Sequence, residues 1–252
     1  MPSIHFIILF VLSIGSLMLS GSIVASDKSY PDLTVSLPYL PSLSESSERG
    51  ILINLLNEMD QVYEGRIIIK GVFPFKRSMH NVFVGESDFH LPILLDPDMP
   101  KNKLGYRHST TTIFHVVFAM YTKKGRTLDM TKLSTYNIEV ERAHVPLFPF
   151  TVAPSSDIDH SLRMVNDGRI DAYIFAAKET DDVLRKLGLA KVIDRQFYKE
   201  YDVRAVLPEG IKGAETDKII SDILNKMKAT GSLQDILSPI NTYYQNWQPT
   251  VN

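Results

Sequence analysis

The chain has 252 residues, no cysteine and a formal net charge of −2 at pH 7. The absence of cysteine excludes disulfides, thiol catalysis and cysteine-ligated metals. The near-neutral charge gives no electrostatic reason to expect a nucleic-acid partner, and the length allows one large domain or two domains of modest size.

The N-terminus carries an apolar run over residues 6–25, with small residues toward its end. Such a run before a candidate cleavage site at 23–26 is typical of a secretory signal peptide. No Lys or Arg precedes the run, and its length would also suit an uncleaved membrane anchor. Gly and Ser residues within the run weaken that alternative. We therefore expect residues 1–26 to be a signal peptide and the remainder to be a periplasmic protein.

The first half of the remaining chain predicts β-loop-α-β units. Alternation predicts a strand over 33–37, apolar spacing predicts an amphipathic helix over 51–63, and a β-rich run predicts a strand over 66–70. A second helix is expected over 77–84 and a further strand over 89–95. Units of this kind build parallel sheets flanked by helices.

The same order is repeated after a polar break over residues 122–126. The predicted elements are strands over 116–121, 137–140, 172–175 and 203–207 and helices over 161–166 and 219–228. Glycine and acidic residues precede a strand at both 84–89 and 166–172, which favours two similar lobes, although glycine caps recur in any α/β protein. The run 191–202 has mixed charges and is predicted to be a solvated surface segment.

Six segments of the chain form a series with a familiar order and spacing. They read ILINLLNEM, VFVGESDF, HVVFAMYTKK, LRMVNDGRIDAYIF, YDVRAVLPEG and ILNKMKATGSLQDIL. In this order they resemble the family 3 extracellular solute-binding proteins, the type II periplasmic receptors of polar amino-acid ABC transporters. The resemblance covers nearly the whole chain after the apolar N-terminal run.

The resemblance implies an α/β fold of two lobes, each a mostly parallel sheet flanked by helices, joined by crossover strands near 116–122 and 200–206. Lobe 1 would comprise residues 27–121 and 202–252, and lobe 2 residues 122–201. The resemblance also implies a monomer without a cofactor that binds a small solute in the cleft, closes by a hinge motion and delivers the solute to an ABC permease. The alternative is a periplasmic module that reports the solute to a membrane sensor.

Two ligand contacts of the family are altered in this sequence. Family members that bind amino acids hold the α-carboxylate with an arginine about a dozen residues after the position of Asp88, and counting from there reaches Pro100 and Lys101. They hold the α-amine with an aspartate at the position of Ala176. An ammonium left unpaired and desolvated costs affinity. Either the amine finds another partner, or the ligand carries no ammonium there.

Several residues near the expected cleft are candidate ligand contacts. They are Tyr39, Arg77, His90, Arg107, Ser109, Thr110 and Arg142. Arg77 begins a helix after a strand, where a guanidinium would hold a carboxylate through two hydrogen bonds. Arg142 stands where the family has a backbone nest for a carboxylate. The arginines favour an anionic or carboxylate-bearing ligand; the alternatives are solvated arginines, a packed Tyr39 and a buried, structural His90.

The sequence contains no catalytic motif and no metal-ligand spacing. Two pairs of carboxylates, Asp157 with Asp159 and Asp181 with Asp182, are expected to be solvated helix starts. We therefore expect a binding protein and not an enzyme.

Overall fold

The computed structural model describes residues 30–98, 106–241 and 243–244. The expected signal peptide and the positions of Pro100 and Lys101 lie outside the described residues. Within the described part of the chain, no helix combines the length and the hydropathy that a membrane crossing requires.

Strands and helices alternate along most of the chain. The strands are β1 (Leu33–Pro38), β2 (Ile67–Phe73), β3 (Phe89–Leu95), β4 (Arg107–His108), β5 (Phe114–Lys123), β6 (Ile138–Glu141), β7 (Ala153–Ser155), β8 (Ala172–Ala176) and β9 (Ile193–Leu207). The α-helices are α1 (Ile51–Val62), α2 (Phe75–Phe83), α3 (Ile158–Asn166), α4 (Ala177–Lys186), α5 (Gly210–Thr230) and α6 (Ser232–Leu237). Short 3-10 helices cover Met130–Thr135, Arg142–Leu147 and Leu189–Lys191.

The strands form one sheet with the order β2-β1-β3-β9-β5-β8-β6-β7, and β4 pairs with β9. One half, which we call lobe 1, has β1, β2 and β3 in parallel. The other half, lobe 2, has β6, β7 and β8 in parallel. Between them, β9 runs antiparallel to β3 and β5, and β5 runs antiparallel to β8. The chain therefore crosses between the lobes on two long strands, which confirms the predicted fold class. The residue numbers proposed for the lobe boundaries stay a prediction.

Helix α1 shows how the sequence pattern becomes a core. Its apolar residues recur at helical spacing, so Leu52, Leu55 and Leu56 lie on one face and are fully buried. They pack in one cluster with Ile220 and Leu224 of α5 and with the strands of lobe 1. Burying each such side chain contributes about 1.5–3 kcal/mol, so this cluster holds the lobe-1 helices against the sheet.

Two helices begin earlier than the sequence pattern predicts. Pro74 immediately precedes α2 and has extended backbone, so the helix starts at Phe75 and not at residue 77. Asp157 caps α3 by accepting a 2.8 Å hydrogen bond from the Asp159 amide, so that helix starts at Ile158 and not at residue 161. In both helices, the pattern of polar and apolar residues in the first turn is too short to show at which residue the helix begins.

The prediction that residues 191–202 form a solvated surface segment is wrong. Most of this run is the first part of β9, a central strand, and Ile193, Arg195 and Tyr201 are buried. The charges are accommodated because they are paired: Arg195 Nη1 lies 2.7 Å from Asp181 Oδ2. Asp181 is itself buried in α4, so its expected solvated position is wrong as well.

Candidate functional site

The carboxyl ends of the parallel strands in both lobes border the two crossover strands. One row of residues crosses the sheet at this level: Ala176 at the end of β8 pairs with Phe118 of β5, and Phe118 pairs with Lys199 of β9. Lys199 Nζ then reaches Asp96, just after β3, at 2.9 Å. Ligands of open α/β sheets bind outside the carboxyl ends of the strands, so this row marks the floor of the candidate cleft.

The lobe-1 wall consists of the residues that follow β1 and β2. Tyr39 follows β1 with 61% of its surface exposed, and its amide donates to the Phe73 carbonyl at 2.8 Å. Arg77 lies in the first turn of α2 and is exposed. Among the described residues its hydrogen-bond partner is Asn81, whose Oδ1 accepts from Nε at 3.1 Å. The terminal nitrogens of Arg77 are therefore placed to bind an anion.

His90 lies beneath this wall and not on it. The side chain is fully buried on β3; Nδ1 lies 2.7 Å from Ser78 Oγ of α2, and Nε2 lies 3.1 Å from the Pro92 carbonyl. Burial lowers the pKa of His90 to about 4, against a smaller opposing effect of the Pro92 carbonyl. The imidazole is thus neutral near pH 7 and fixes the start of α2, which carries Arg77. Its two nitrogens are both occupied, so we do not include it in the proposed ligand contacts.

Lys199 links the crossover strand β9 to the end of β3. Its ammonium donates to both carboxylate oxygens of Asp96 at 2.9 and 3.0 Å and to Asp98 at 3.1 Å. Partial burial disfavours the charged amine, but the two carboxylates outweigh burial and raise the pKa of Lys199. This cation is committed to the protein itself and is not a candidate for binding an anionic solute.

The lobe-2 wall begins where β6 ends. The Glu141 carboxylate accepts hydrogen bonds from the Ala143 amide and from His144 Nδ1, both at 2.8 Å. Burial disfavours the charged carboxylate, but His144 and the backbone amides outweigh it and lower the pKa of Glu141. Glu141 therefore fills the turn in which the sequence resemblance implies a backbone nest for a carboxylate. Arg142, which follows it, is exposed and has no ion pair with a described residue.

The second part of the lobe-2 wall is the junction between β8 and α4. Ala176 precedes the first residue of α4 and is 6% exposed, so this position presents a methyl group. Glu179 follows in the first turn of α4 and lines a cavity of about 30 Å³ with Val116 and Val117 of β5 and Leu43 of lobe 1. The residue as a whole is exposed, but the surrounding atoms desolvate its carboxyl group and raise its pKa.

Three of the predicted site residues lie away from the cleft. Arg107 pairs with Leu207 on β9, eight residues beyond Lys199 (207 − 199). At about 3.3 Å per residue these two levels are about 26 Å apart. Thr110 donates to Asp217 of α5 from its amide at 2.8 Å and from its hydroxyl at 3.2 Å.

Ser109 is fully buried, and its hydroxyl accepts from the Ala205 amide at 3.1 Å and donates to the Thr111 carbonyl. Arg107 Nη2 lies 3.7 Å from Asp217 Oδ2. The segment 107–110 therefore joins α5 to β9, and we do not include it in the proposed ligand contacts.

Sequence reasoning missed three residues that shape the cleft: His144, Glu179 and Lys199. Lys199 lies in the mixed-charge run 191–202, whose local pattern predicts a surface segment. Glu179 had one available signal, because it stands three residues after Ala176 and these positions share a helix face. His144 had none, since its contacts with Phe118 and Phe175, at ring distances of 5.6 and 5.4 Å, depend on the fold.

The fold and the cleft between its lobes are those of the two-lobed, type II periplasmic binding proteins. The ligand-binding core of GluR0 from Nostoc punctiforme, solved in complex with L-glutamate, is similar with a TM-score of 0.60, 13% identity and coverage of 82% of this chain and 98% of its own. The probable amino-acid ABC transporter extracellular-binding protein ytmK from Bacillus subtilis is similar with a TM-score of 0.59, 13% identity and coverage of 84% and 99%.

A histidine kinase sensor domain described as similar to periplasmic binding proteins gives a TM-score of 0.57, 13% identity and coverage of 82% of this chain and 95% of its own. No protein-family model matches the sequence, and no curated protein matches it significantly. At these identities the likeness shows the fold alone.

Proposed function

We propose that the protein is a periplasmic solute-binding protein that captures a small polar, carboxylate-bearing, amino-acid-like solute between its lobes and delivers it to an ABC permease. The observation that carries this proposal is the placement of Arg77 and Arg142 at the carboxyl edges of different lobes. Neither guanidinium has an ion pair with a described residue. The ytmK protein, with the same fold, is named for amino-acid ABC transport, and the GluR0 core holds L-glutamate.

The proposed mechanism uses the two crossover strands as the hinge. A solute that touches both edges stabilises the closed arrangement by its differential contacts with that state. A guanidinium binds a carboxylate through two parallel, charge-assisted hydrogen bonds, and the exposed ring of Tyr39 offers a surface on which part of the solute can stack. The protein acts as a monomer in the periplasm after removal of an N-terminal signal peptide.

The alternative function is a periplasmic sensory module that uses the same cleft to report a solute to a membrane sensor. The kinase sensor domain with the same fold supports this alternative. Solute uptake by cells that lack the gene distinguishes the two. Delivery to a permease requires uptake of the bound solute to fall, whereas a sensory role leaves uptake intact and removes the cellular response to that solute.

A thermal-shift screen tests solute capture directly. The purified chain is heated with amino acids, organic acids and sugars, each at millimolar concentration. A solute at 100 times its Kd stabilises by about 2.7 kcal/mol, which corresponds to a rise of roughly 5–10 °C for a chain of this size. Mass spectrometry of the recovered solute shows whether it is released unaltered.

Two arginine variants locate the site in that screen. Arg77→Ala is expected to abolish the shift, because the variant loses the proposed carboxylate contact. Arg107→Lys serves as the control, since Arg107 lies about 26 Å along β9 from the cleft level. A full shift in Arg77→Ala, or loss of the shift in Arg107→Lys alone, would contradict the proposed site.

A further inference from the structure

The end of β8 lacks a group that could hold a cation. Ala176 closes the strand with a methyl group and pairs with Phe118, so neither neighbour in the row offers a negative charge. Lys199, the next residue in the row, is a cation bound to Asp96 and Asp98. An ammonium group of a solute placed here would need a carboxylate from outside the row.

Glu179 is the carboxylate nearest to this position along the chain after Ala176. It lies three residues later in the first turn of α4, on the same helix face. It lines a cavity bordered by both lobes, because Leu43 follows β1 of lobe 1, whereas Lys178 and Glu179 belong to α4, which follows β8 of lobe 2. The volume of about 30 Å³ is enough for at least one water-sized group. A group of ammonium size therefore fits in the cavity.

The basic side chains around Glu179 form hydrogen bonds with other carboxylates. Lys178 Nζ donates to Asp182 at 3.2 Å, and His144 Nδ1 donates to Glu141 at 2.8 Å. Among the described residues, no side chain donates a hydrogen bond to the Glu179 carboxylate. The backbone amide of Glu179 itself lies beside this carboxylate. Lys178, which also lines the cavity, and His144 partly offset this desolvation, but the pKa of Glu179 stays raised. A desolvated carboxylate gains from a further cationic partner. Such a group in an inter-lobe cavity is a candidate for binding a cation.

We propose that Glu179 binds the ammonium group of the solute and replaces the contact that Ala176 cannot make. This inference rests on the proposed function and narrows the solute class to zwitterions of the amino-acid type. The carboxylate of the solute then binds the cleft arginines, and its ammonium enters the cavity beside Val116 and Val117.

The test combines one variant with matched probes. The twenty L-amino acids are screened beside carboxylic acids that lack the ammonium, such as glutarate for L-glutamate and 3-phenylpropanoate for L-phenylalanine. For every probe that binds, the Kd is measured by calorimetry in wild type, Glu179→Gln and Glu179→Asp. The control is Asp159→Asn, because Asp159 pairs with Arg163 on α3 and does not line the cavity.

The expected result is binding of an amino acid but not of its partner acid, and a Kd about 10- to 150-fold weaker in Glu179→Gln, the range for losing a hydrogen bond to a charged group. Glu179→Asp recovers part of that loss, and Asp159→Asn leaves the Kd unchanged. Binding of an ammonium-free acid with the same Kd in wild type and Glu179→Gln overturns this inference but keeps the proposed function. The absence of binding by every probe overturns both.

Discussion

The buried ion pair between Arg195 and Asp181 gives a sharp stability prediction. Arg195 is 3% exposed and its guanidinium lies 2.7 Å from the Asp181 carboxylate, which also accepts a 2.8 Å hydrogen bond from the Tyr121 hydroxyl. Burial raises the pKa of Asp181, although Tyr121 and Arg195 oppose that effect. Desolvation therefore outweighs the attraction, and the pair itself adds little net stability. Removing Asp181 alone is different, because the buried Arg195 guanidinium then loses the carboxylate that compensates its charge.

We expect Asp181→Leu to lower the free energy of unfolding by about 3–5 kcal/mol. The double variant Asp181→Leu/Arg195→Met should lose less than half of that, because no buried charge remains. Asp182→Leu is the control. Asp182 forms exposed pairs with Lys178 and Arg185, so its loss costs at most about 1 kcal/mol. Urea denaturation of the three variants checks these values. Equal losses in Asp181→Leu and Asp182→Leu, or a double variant as unstable as the single one, would refute the reasoning.

Two further predictions concern pH and the core. The pKa of His90 is about 4 in the folded chain and about 6.5 when unfolded, so below pH 6.5 the unfolded state binds the extra proton. The free energy of unfolding therefore falls as the pH is lowered from 7, by about 2 kcal/mol at pH 4.5. His90→Asn should lack this pH-dependent loss, which urea titrations at both pH values measure. The same pH dependence in the variant and in wild type would contradict the prediction. Leu56→Ala in the buried face of α1 should cost about 2–5 kcal/mol by the same assay. The exposed neighbour Asn57→Ala should change stability by less than about 0.5 kcal/mol, and similar losses for both would show that the face is misassigned.

Much of the fold could be predicted because amphipathic periodicity is a local property. The apolar residues of α1 repeat at helical spacing, and Phe89–Leu95 is a continuous β-type run that matches β3 to the residue. The first half of β9 could not be predicted in this way. The charged residues of this segment indicate exposure to solvent. The sheet accommodates them because the fold brings Asp181 to Arg195 and Asp96 to Lys199. Pairing of this kind is a long-range property that no local window contains.

The candidate site shows the same division. Placing Tyr39 and Arg77 after the first two strands needed only the order of elements along the chain, and both lie at the carboxyl edge of lobe 1. By contrast, the position of Arg107 before a crossover strand predicts that it lies near the cleft. In the structure, Arg107 belongs to the short strand β4 and pairs with the far end of β9. The register of β4 against β9 decides that distance, and register depends on pairing that sequence spacing does not fix.

Closure of the lobes on a solute at their carboxyl edges must change the distance between the lobes, and this distance can be measured. The chain has no native cysteine, so spin labels can be attached to Ser47→Cys in lobe 1 and Thr151→Cys in lobe 2, both exposed positions. Their distance distribution is measured by pulsed electron paramagnetic resonance with and without an amino acid that raises the melting temperature. We expect the solute to make the distance distribution shorter and narrower in the otherwise wild-type chain. In Arg77→Ala, we expect the solute to leave the distribution unchanged. A distribution that saturating solute leaves unchanged in the otherwise wild-type chain would contradict closure of the lobes on a solute.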